Sequence, residues 1–288
     1  MYSIQDLEEL SGVKAHTIRI WEKRYNLLVP ERTATNIRLY SDNDLRKLLN
    51  VSTLINLGLK ISKISELSEL EIGEKIEEHL LPEKTDKQTE LFINNLISAG
   101  ITFDTFRFDS TFSSAILRFG LRDTYTKVLL PVLIRIGLMW GKNQIIPAQE
   151  HLISNLIKQK LFAGIDGLPL NTSPKKKYLL FLPPNENHEI GLLLSYYLLK
   201  QAGHRVYYLG ANVPINNLNI AVKSANPDFI VFFAVRSWGA KQLQDVVDEI
   251  LQKFEKNIVV LGNENTIKPV KGKGLIKIHS IDQFESIF

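Results

Sequence analysis

The chain has 288 residues, 44% hydrophobic and 23% charged, which is typical of a folded protein long enough for two or three domains. It contains no cysteine, which excludes disulfides, thiolate metal ligands and a cysteine nucleophile. No apolar run approaches the roughly 18 residues of a membrane span, and the N-terminus lacks a signal-peptide pattern, so we expect a cytoplasmic protein with no membrane partner.

The charge is unevenly distributed along the chain. A net charge of +4 is too small to indicate a nucleic-acid partner by itself. Between Leu10 and Tyr40, however, six Lys or Arg residues stand against two Glu residues. Such a local excess suits a surface that faces phosphate, although a solvated basic face explains the charge about equally well.

Residues 1–75 predict the layout of a winged helix-turn-helix. In SIQDLEELSG, Ser3 and Asp6 have capping-box spacing and Gly12 follows as a stop signal. KAHTIRIWEKRY predicts the second helix, and LLVPERTATNIRLY predicts two short strands around a polar turn. SDNDLRKLLNVSTLINLGL predicts a helix capped by Ser41, and KISKISELSEL predicts one further short helix.

A polar, Pro-containing stretch at 76–87 predicts a linker. Across 88–170, apolar residues recur at steps of three and four, with glycines at the ends of four segments. We therefore expect a four-helix bundle there.

The remainder, 175–288, alternates apolar strands with amphipathic helices. Strands that are apolar almost throughout are covered on both faces, which is typical of a parallel sheet. The fold class we expect is therefore multidomain α and α/β. It consists of a winged helix-turn-helix, a four-helix bundle and a doubly wound, Rossmann-like parallel sheet.

The second helix of a helix-turn-helix enters the major groove, and its flanks contact phosphate. The motifs HTIRIWEKRY and IRLYSDNDLRKL resemble those of the MerR family of transcriptional regulators. That resemblance implies double-stranded operator DNA as the partner, usually read by a dimer. The candidate DNA-binding residues are Lys14, His16, Thr17, Arg19, Arg24, Tyr25, Arg32 and Arg38.

These candidates have different expected roles. Arg19, Arg24 and Arg38 are expected to contact phosphate rather than read bases. Trp21 and Tyr40, from the same two motifs, are expected to lie in the core.

The stretch PPNENHEIGLL places His188 in the turn after the first strand of the predicted sheet. Ligands bind beyond the carboxyl ends of parallel strands, and this turn has no G-x-G-x-x-G pattern for a nicotinamide cofactor. An imidazole is a good ligand for a metal such as cobalt, and Glu186 is placed to orient it. Gly191 leaves space one helical turn later. From spacing alone, a solvent-exposed loop histidine is the commoner explanation.

The E-x-H-x-x-G pattern of this turn resembles the cobalamin-binding signature, whose usual form is D-x-H-x-x-G. The resemblance implies that His188 replaces the dimethylbenzimidazole of cobalamin as the lower ligand of cobalt. It also implies that the displaced nucleotide tail runs into the α/β domain past Gly191.

A second motif, WGKNQIIPAQEH, resembles the bundle that caps cobalamin in light-responsive repressors of the MerR type. The resemblance implies that Trp140 covers the upper ligand, and that Glu150 and His151 contact the adenosyl group of adenosylcobalamin. An aromatic lid over a flat ring, with polar groups beside it, suits such a ligand.

Three positions depart from that pattern. Gly141 stands where the light-sensing relatives have a histidine that can bind cobalt. The serine of the S-x-L element corresponds to Phe233 or, in a shifted register, to Ser237. The Gly-Gly pair after the fourth strand is Gly262-Asn263. We keep Ser237 and Gly262 as cofactor-binding candidates and expect the two changes to crowd the tail.

We therefore expect a repressor and not an enzyme. Adenosylcobalamin would control a homo-oligomer, a dimer or tetramer, that binds operator DNA, and light would release it. One alternative is a cobalamin-dependent enzyme subunit or corrinoid carrier. Another is a MerR-type regulator whose sensory domain binds a different ligand or a protein.

Overall fold

A computed structural model describes residues 1–33, 36–80, 86–236 and 238–288. The chain forms two compact units, Met1–Gln159 and Lys160–Phe288. The finer division into a head (1–75), a linker (76–87), a four-helix bundle (88–170) and an α/β domain (175–288) stays a prediction.

The head contains the helices and the wing that the sequence predicts. Its elements are α1 (Ile4–Ser11), α2 (Ala15–Tyr25), β1 (Glu31–Arg32), β2 (Arg38–Leu39), α3 (Asp42–Asn56), α4 (Ile61–Ile64) and α5 (Glu69–Leu80). The capping boxes at Ser3 and Ser41 are both formed, and Gly12 ends α1 with φ 73°. Because each cap satisfies free N–H groups at a helix start, local sequence is enough to place these helices.

The end of the head differs from the prediction of one short helix. Two helices, α4 and α5, form there because Ser68 and Glu71 make another reciprocal cap, with the Ser68 N–H 2.7 Å from the Glu71 carboxylate. Helix α5 continues through the first part of the predicted linker at 76–87. Pro82 lies outside the described residues.

The head has its own apolar core. Leu7, Ile18, Tyr40 and Leu48 are fully buried in it, and Trp21 is partly buried against it. The prediction that Trp21 and Tyr40 belong to the core is confirmed.

Four helices follow, as predicted: α6 (Lys87–Ile101), α7 (Thr105–Thr124), α8 (Leu130–Gly141) and α9 (Pro147–Asp166). Gly120 interrupts α7 with φ 75°, and the π-helical turn Tyr125–Leu129 leads into α8. Gly100 permits close packing of α6 on α9, since a Cβ there would lie 2.3 Å from Cγ1 of Ile153.

The second unit is the predicted doubly wound sheet. Its strands are β3 (Lys177–Phe181), β4 (Arg205–Gly210), β5 (Phe229–Ala234), β6 (Asn257–Gly262) and β7 (Leu275–Ile278). The intervening helices are α10 (Glu189–Gln201), α11 (Leu218–Ala225), α12 (Ala240–Lys253), α13 (Glu264–Ile267) and α14 (Ile281–Glu285). The sequence pattern did not predict the two shortest of these helices, α13 and α14.

All five strands are parallel, in the order β4-β3-β5-β6-β7. The chain moves from β3 outward to β4 and then returns to the other side of β3 to form β5. The carboxyl ends of β3 and β5 therefore flank the topological switch point, where open α/β sheets bind ligands.

None of the described helices is both long and apolar enough to cross a membrane.

Candidate functional site

His188 lies in the turn after β3, at the N-cap of α10, and its side chain is 61% exposed. Its Nδ1 is 2.5 Å from Oε1 of Glu186, whose side chain is completely buried. The other carboxylate oxygen accepts hydrogen bonds from the N–H groups of Val235 and Arg236, each at 2.9 Å, and from Nε1 of Trp238 at 3.2 Å. Glu186 therefore joins the turn after β3 to the loop after β5.

Burial alone would raise the pKa of Glu186, but the hydrogen bond and charge of His188 and the backbone N–H groups outweigh it and bring the pKa to about 2. Glu186 is thus a carboxylate at neutral pH and accepts from Nδ1–H of His188. A metal would then be bound through Nε2, in the arrangement of histidine ligands that are oriented by a carboxylate.

The space expected beside Gly191 is filled. A Cβ at Gly191 would lie 2.8 Å from Cε1 of Phe233, a residue near the carboxyl end of β5. Ser237, the alternative candidate in this region, lies outside the described residues.

Gly262 has a packing role. A Cβ there would lie 2.7 Å from the carbonyl oxygen of Ala234 and 2.9 Å from Cγ2 of Ile267. Asn263 caps the short helix α13 directly after it. The donor set at His188 thus fits a cobalt ion, whereas the neighbouring crevice does not fit a bulky group.

Trp140 lies in the last turn of α8 and packs, partly buried, against the core of the head. The guanidinium carbon of Arg46, on α3, lies 5.6 Å from the centre of the Trp140 ring, and Arg46 also donates to Asn143. Gly141 lies against Asn50, whose Nδ2 is 3.2 Å from the Gly141 carbonyl oxygen. The end of α8 is therefore part of a head–bundle contact, and the role of Trp140 as a lid stays a prediction.

Glu150 and His151 lie together in the first turn of α9. Nδ1 of His151 is 2.7 Å from Oε2 of Glu150. The side chain of His151 is 72% exposed and that of Glu150 is 36% exposed. Both side chains are accessible to a ligand. Their contact with an adenosyl group stays a prediction.

The candidate DNA-binding residues fall into two groups. His16, Arg19 and Arg24 are exposed on α2, with Thr17 and Tyr25 partly buried there. Arg32 and Arg38 face each other across the two strands of the wing. Like charges opposite one another disfavour strand pairing, so an anionic partner would stabilise this arrangement.

Two of the basic candidates already have carboxylate partners. Lys14 lies 2.7 Å from Glu8. Nε of Arg38 lies 3.1 Å from Glu22, a largely buried carboxylate that also accepts from the hydroxyl of Tyr40. Burial and this contact raise the pKa of Tyr40.

Sequence reasoning missed several residues with polar contacts at these sites. They are Glu22, Arg46, Asn50 and Trp238. Glu22 and Arg46 are within the two quoted head motifs and could have been singled out, but Asn50 and Trp238 carry no local signal.

Comparison with known proteins assigns the first two segments. Residues 2–71 match the MerR HTH family regulatory protein model, and residues 92–163 match the B12 binding domain model. The chain therefore combines a segment of the MerR helix-turn-helix type with a segment of the B12 binding domain type. The predicted combination of a MerR-type head with a cobalamin-binding domain is confirmed.

The chain is 28% identical over 263 residues to the HTH-type transcriptional repressor CarH of Myxococcus xanthus, covering 90% of this chain and 87% of CarH. It is 27% identical to the repressor CarA of the same organism, covering 90% and 85% of the two chains.

The monomethylamine corrinoid protein of Methanosarcina barkeri shares the fold with a TM-score of 0.54 at 14% identity, covering 69% of this chain and 97% of that one. In the part of the chain that the structure describes, no three His, Asp or Glu side chains group as metal ligands.

Proposed function

We propose that this chain is a cobalamin-dependent transcriptional repressor. The head binds operator DNA, and the remainder of the chain binds the cofactor that controls it. The assignment is supported by the MerR-type head, the B12 binding domain and the similarity to two repressors over 90% of the chain. The single observation that carries the cofactor assignment is the pair of exposed His188 and buried Glu186.

When bound, cobalamin would supply a cobalt centre that takes an imidazole ligand. His188 would bind the cobalt through Nε2, and Glu186 would fix the plane of the imidazole ring by accepting from Nδ1–H. Trp140, Glu150 and His151 would contact the opposite face of the cofactor. The cofactor itself would be adenosylcobalamin. Assembly into a dimer or tetramer, and release by light, belong to the same proposal.

Only a ligand that binds one assembly state more tightly than another can shift the equilibrium between them. The bound cofactor would therefore favour one oligomer, and that oligomer would present two or more heads to paired half-sites. Exposed Arg19 and Arg24 and the wing residue Arg32 would contact phosphate in each half-site.

The test is reconstitution with adenosylcobalamin in the dark, followed by gel filtration and visible spectroscopy, before and after illumination. We expect a bound corrinoid, a larger assembly, and loss of both in His188→Ala. His279→Ala is the matched control, because His279 is also an exposed histidine of the second unit. A colourless protein after reconstitution would contradict the cofactor assignment.

The second candidate is a corrinoid carrier or enzyme subunit, since the fold is shared with a corrinoid protein and the His188–Glu186 pair suits either role. Binding to duplex DNA distinguishes the two. A repressor is expected to retain preference for one sequence at moderate salt, whereas a carrier would show none.

A further inference from the structure

The crevice beside His188 lies at the switch point of the sheet. One wall is the turn after β3 with the start of α10, and the other is the end of β5 with the loop that follows it. This is the place where an open α/β sheet has room for an extended group of a ligand.

Phe233 closes this crevice. Its ring atoms Cε1 and Cδ1 lie 2.8 and 3.3 Å from the position of a Cβ on Gly191, so the ring takes the volume that the glycine leaves. Even one methyl group at Gly191 would require the ring to move, and a heterocycle with its sugar and phosphate is far larger.

The two walls are also held together. The Glu186 carboxylate accepts from the N–H groups of Val235 and Arg236, two and three residues after Phe233, and from Nε1 of Trp238. Widening the crevice would strip donors from a buried carboxylate, which is costly. The aromatic ring, rather than the backbone, is therefore the part that a ligand would have to displace.

In complete cobalamin, the base of the nucleotide arm can occupy the lower position of cobalt. His188 can take that position only if the base leaves, and the tethered arm then needs room close to His188. A corrinoid without the nucleotide arm needs no such room.

We propose that Phe233 makes this site select corrinoids that lack the lower nucleotide arm over complete cobalamin. The inference rests on the proposed function and narrows its ligand: the corrin ring and the His188–cobalt bond are kept, and the nucleotide arm is disfavoured.

The experiment titrates the full-length chain with cobinamide and with cobalamin, each in the same upper-ligand form. Affinity is read from the visible spectrum as imidazole binds cobalt. We expect the wild-type chain to bind cobinamide about tenfold or more tightly than cobalamin. Phe233→Ala should bring the two affinities to within about threefold by improving cobalamin binding alone.

Two control variants accompany it. Phe229→Ala removes a ring from the other end of β5 and should leave the preference unchanged. His188→Ala should lose both corrinoids. Retention of cobinamide binding shows that Phe233→Ala is folded. If Phe233→Ala loses cobinamide binding, Phe233→Leu is tested in its place, because leucine is smaller than phenylalanine but still apolar.

The possible outcomes separate the two proposals. A cobinamide preference that Phe233→Ala removes supports the inference. Equal affinity of the wild-type chain for both corrinoids, or a preference that is the same in Phe233→Ala, overturns the inference and leaves the proposed function intact. Failure of both corrinoids to bind both the wild type and the variant overturns the proposed function, and the inference with it.

Discussion

At the residue scale, Glu186 is the side chain on which most of the site depends. Its two oxygens accept hydrogen bonds from the ring of His188, from the backbone N–H groups of His188, Val235 and Arg236, and from the indole of Trp238. Such a group contributes to stability as well as to ligand orientation, because its charge is compensated only in the folded state.

The pKa of Glu186 is lowered from 4.5 to about 2, so its contribution is fully present above the unfolded pKa and is lost as pH falls from about 5 to 2. The shift corresponds to about 3 kcal/mol of unfolding free energy. We expect Glu186→Gln to be less stable than wild type at pH 7 and to have a smaller pH dependence between pH 5 and 2. Urea unfolding at a series of pH values measures this, and equal pH slopes would contradict it.

Arg19 and Arg38 are basic candidates with different surroundings. Arg19 is exposed on α2, whereas Arg38 forms an ion pair with largely buried Glu22. Arg19→Ala should weaken binding to a mixed-sequence duplex and reduce the slope of log K against log salt by about 0.9, one phosphate contact. Fluorescence anisotropy at several salt concentrations measures it, with Lys63→Ala, an exposed residue outside α2, as the control.

Arg38→Ala should instead act mainly on stability. Glu22 would keep a buried charge without its cationic partner, so we expect a loss of about 1–3 kcal/mol of unfolding free energy. Thermal unfolding of Arg38→Ala and Arg19→Ala compares the stability that each variant loses relative to wild type. If Arg19→Ala were the more destabilising variant, the structural role of Arg38 would be wrong.

At the scale of elements, the end of α8 packs on α3. Gly141 is central to this contact, because a Cβ on it would lie 2.6 Å from Oδ1 of Asn50. Gly141, which departs from the pattern that the sequence resembles, is thus covered by Asn50 of the head.

Gly141→His should destabilise the first unit by about 1–3 kcal/mol, because the new side chain must displace Asn50. Combining it with Asn50→Ala should recover part of the loss, since residues in contact are coupled. Gly137→His is the matched control: Gly137 is in the same helix, and a Cβ there has no neighbour within 4 Å. Urea unfolding measures these three variants, and equal losses at Gly141 and Gly137 would rule out the contact as the cause.

At the scale of the whole molecule, ligand binding and folding are linked. A ligand that binds only the folded chain stabilises it by about 2.7 kcal/mol at a concentration about 100 times Kd. We expect the tighter-binding corrinoid to raise the unfolding midpoint of wild type and of His279→Ala, but not of His188→Ala. Differential scanning calorimetry with and without ligand measures the shift, and a shift retained in His188→Ala would place the ligand elsewhere.

The sequence by itself was sufficient for the fold class and for most elements, because their causes are local. Capping boxes at Ser3 and Ser41 place two helices, apolar periodicity places the bundle, and apolar strands alternating with helices require a parallel sheet. The motif around His188 also indicated a ligand position, since Glu186 is only two residues away.

The tertiary structure alone decided which residues surround these positions. Phe233 fills the space of Gly191, 42 residues away, and Asn50 on α3 covers Gly141, 91 residues away. No local pattern encodes either contact, because each depends on how two distant elements pack and on which rotamer fits the remaining volume. For this reason the sequence alone could indicate a cobalt ligand, but only the packed sheet could reveal the ring that closes the crevice beside it.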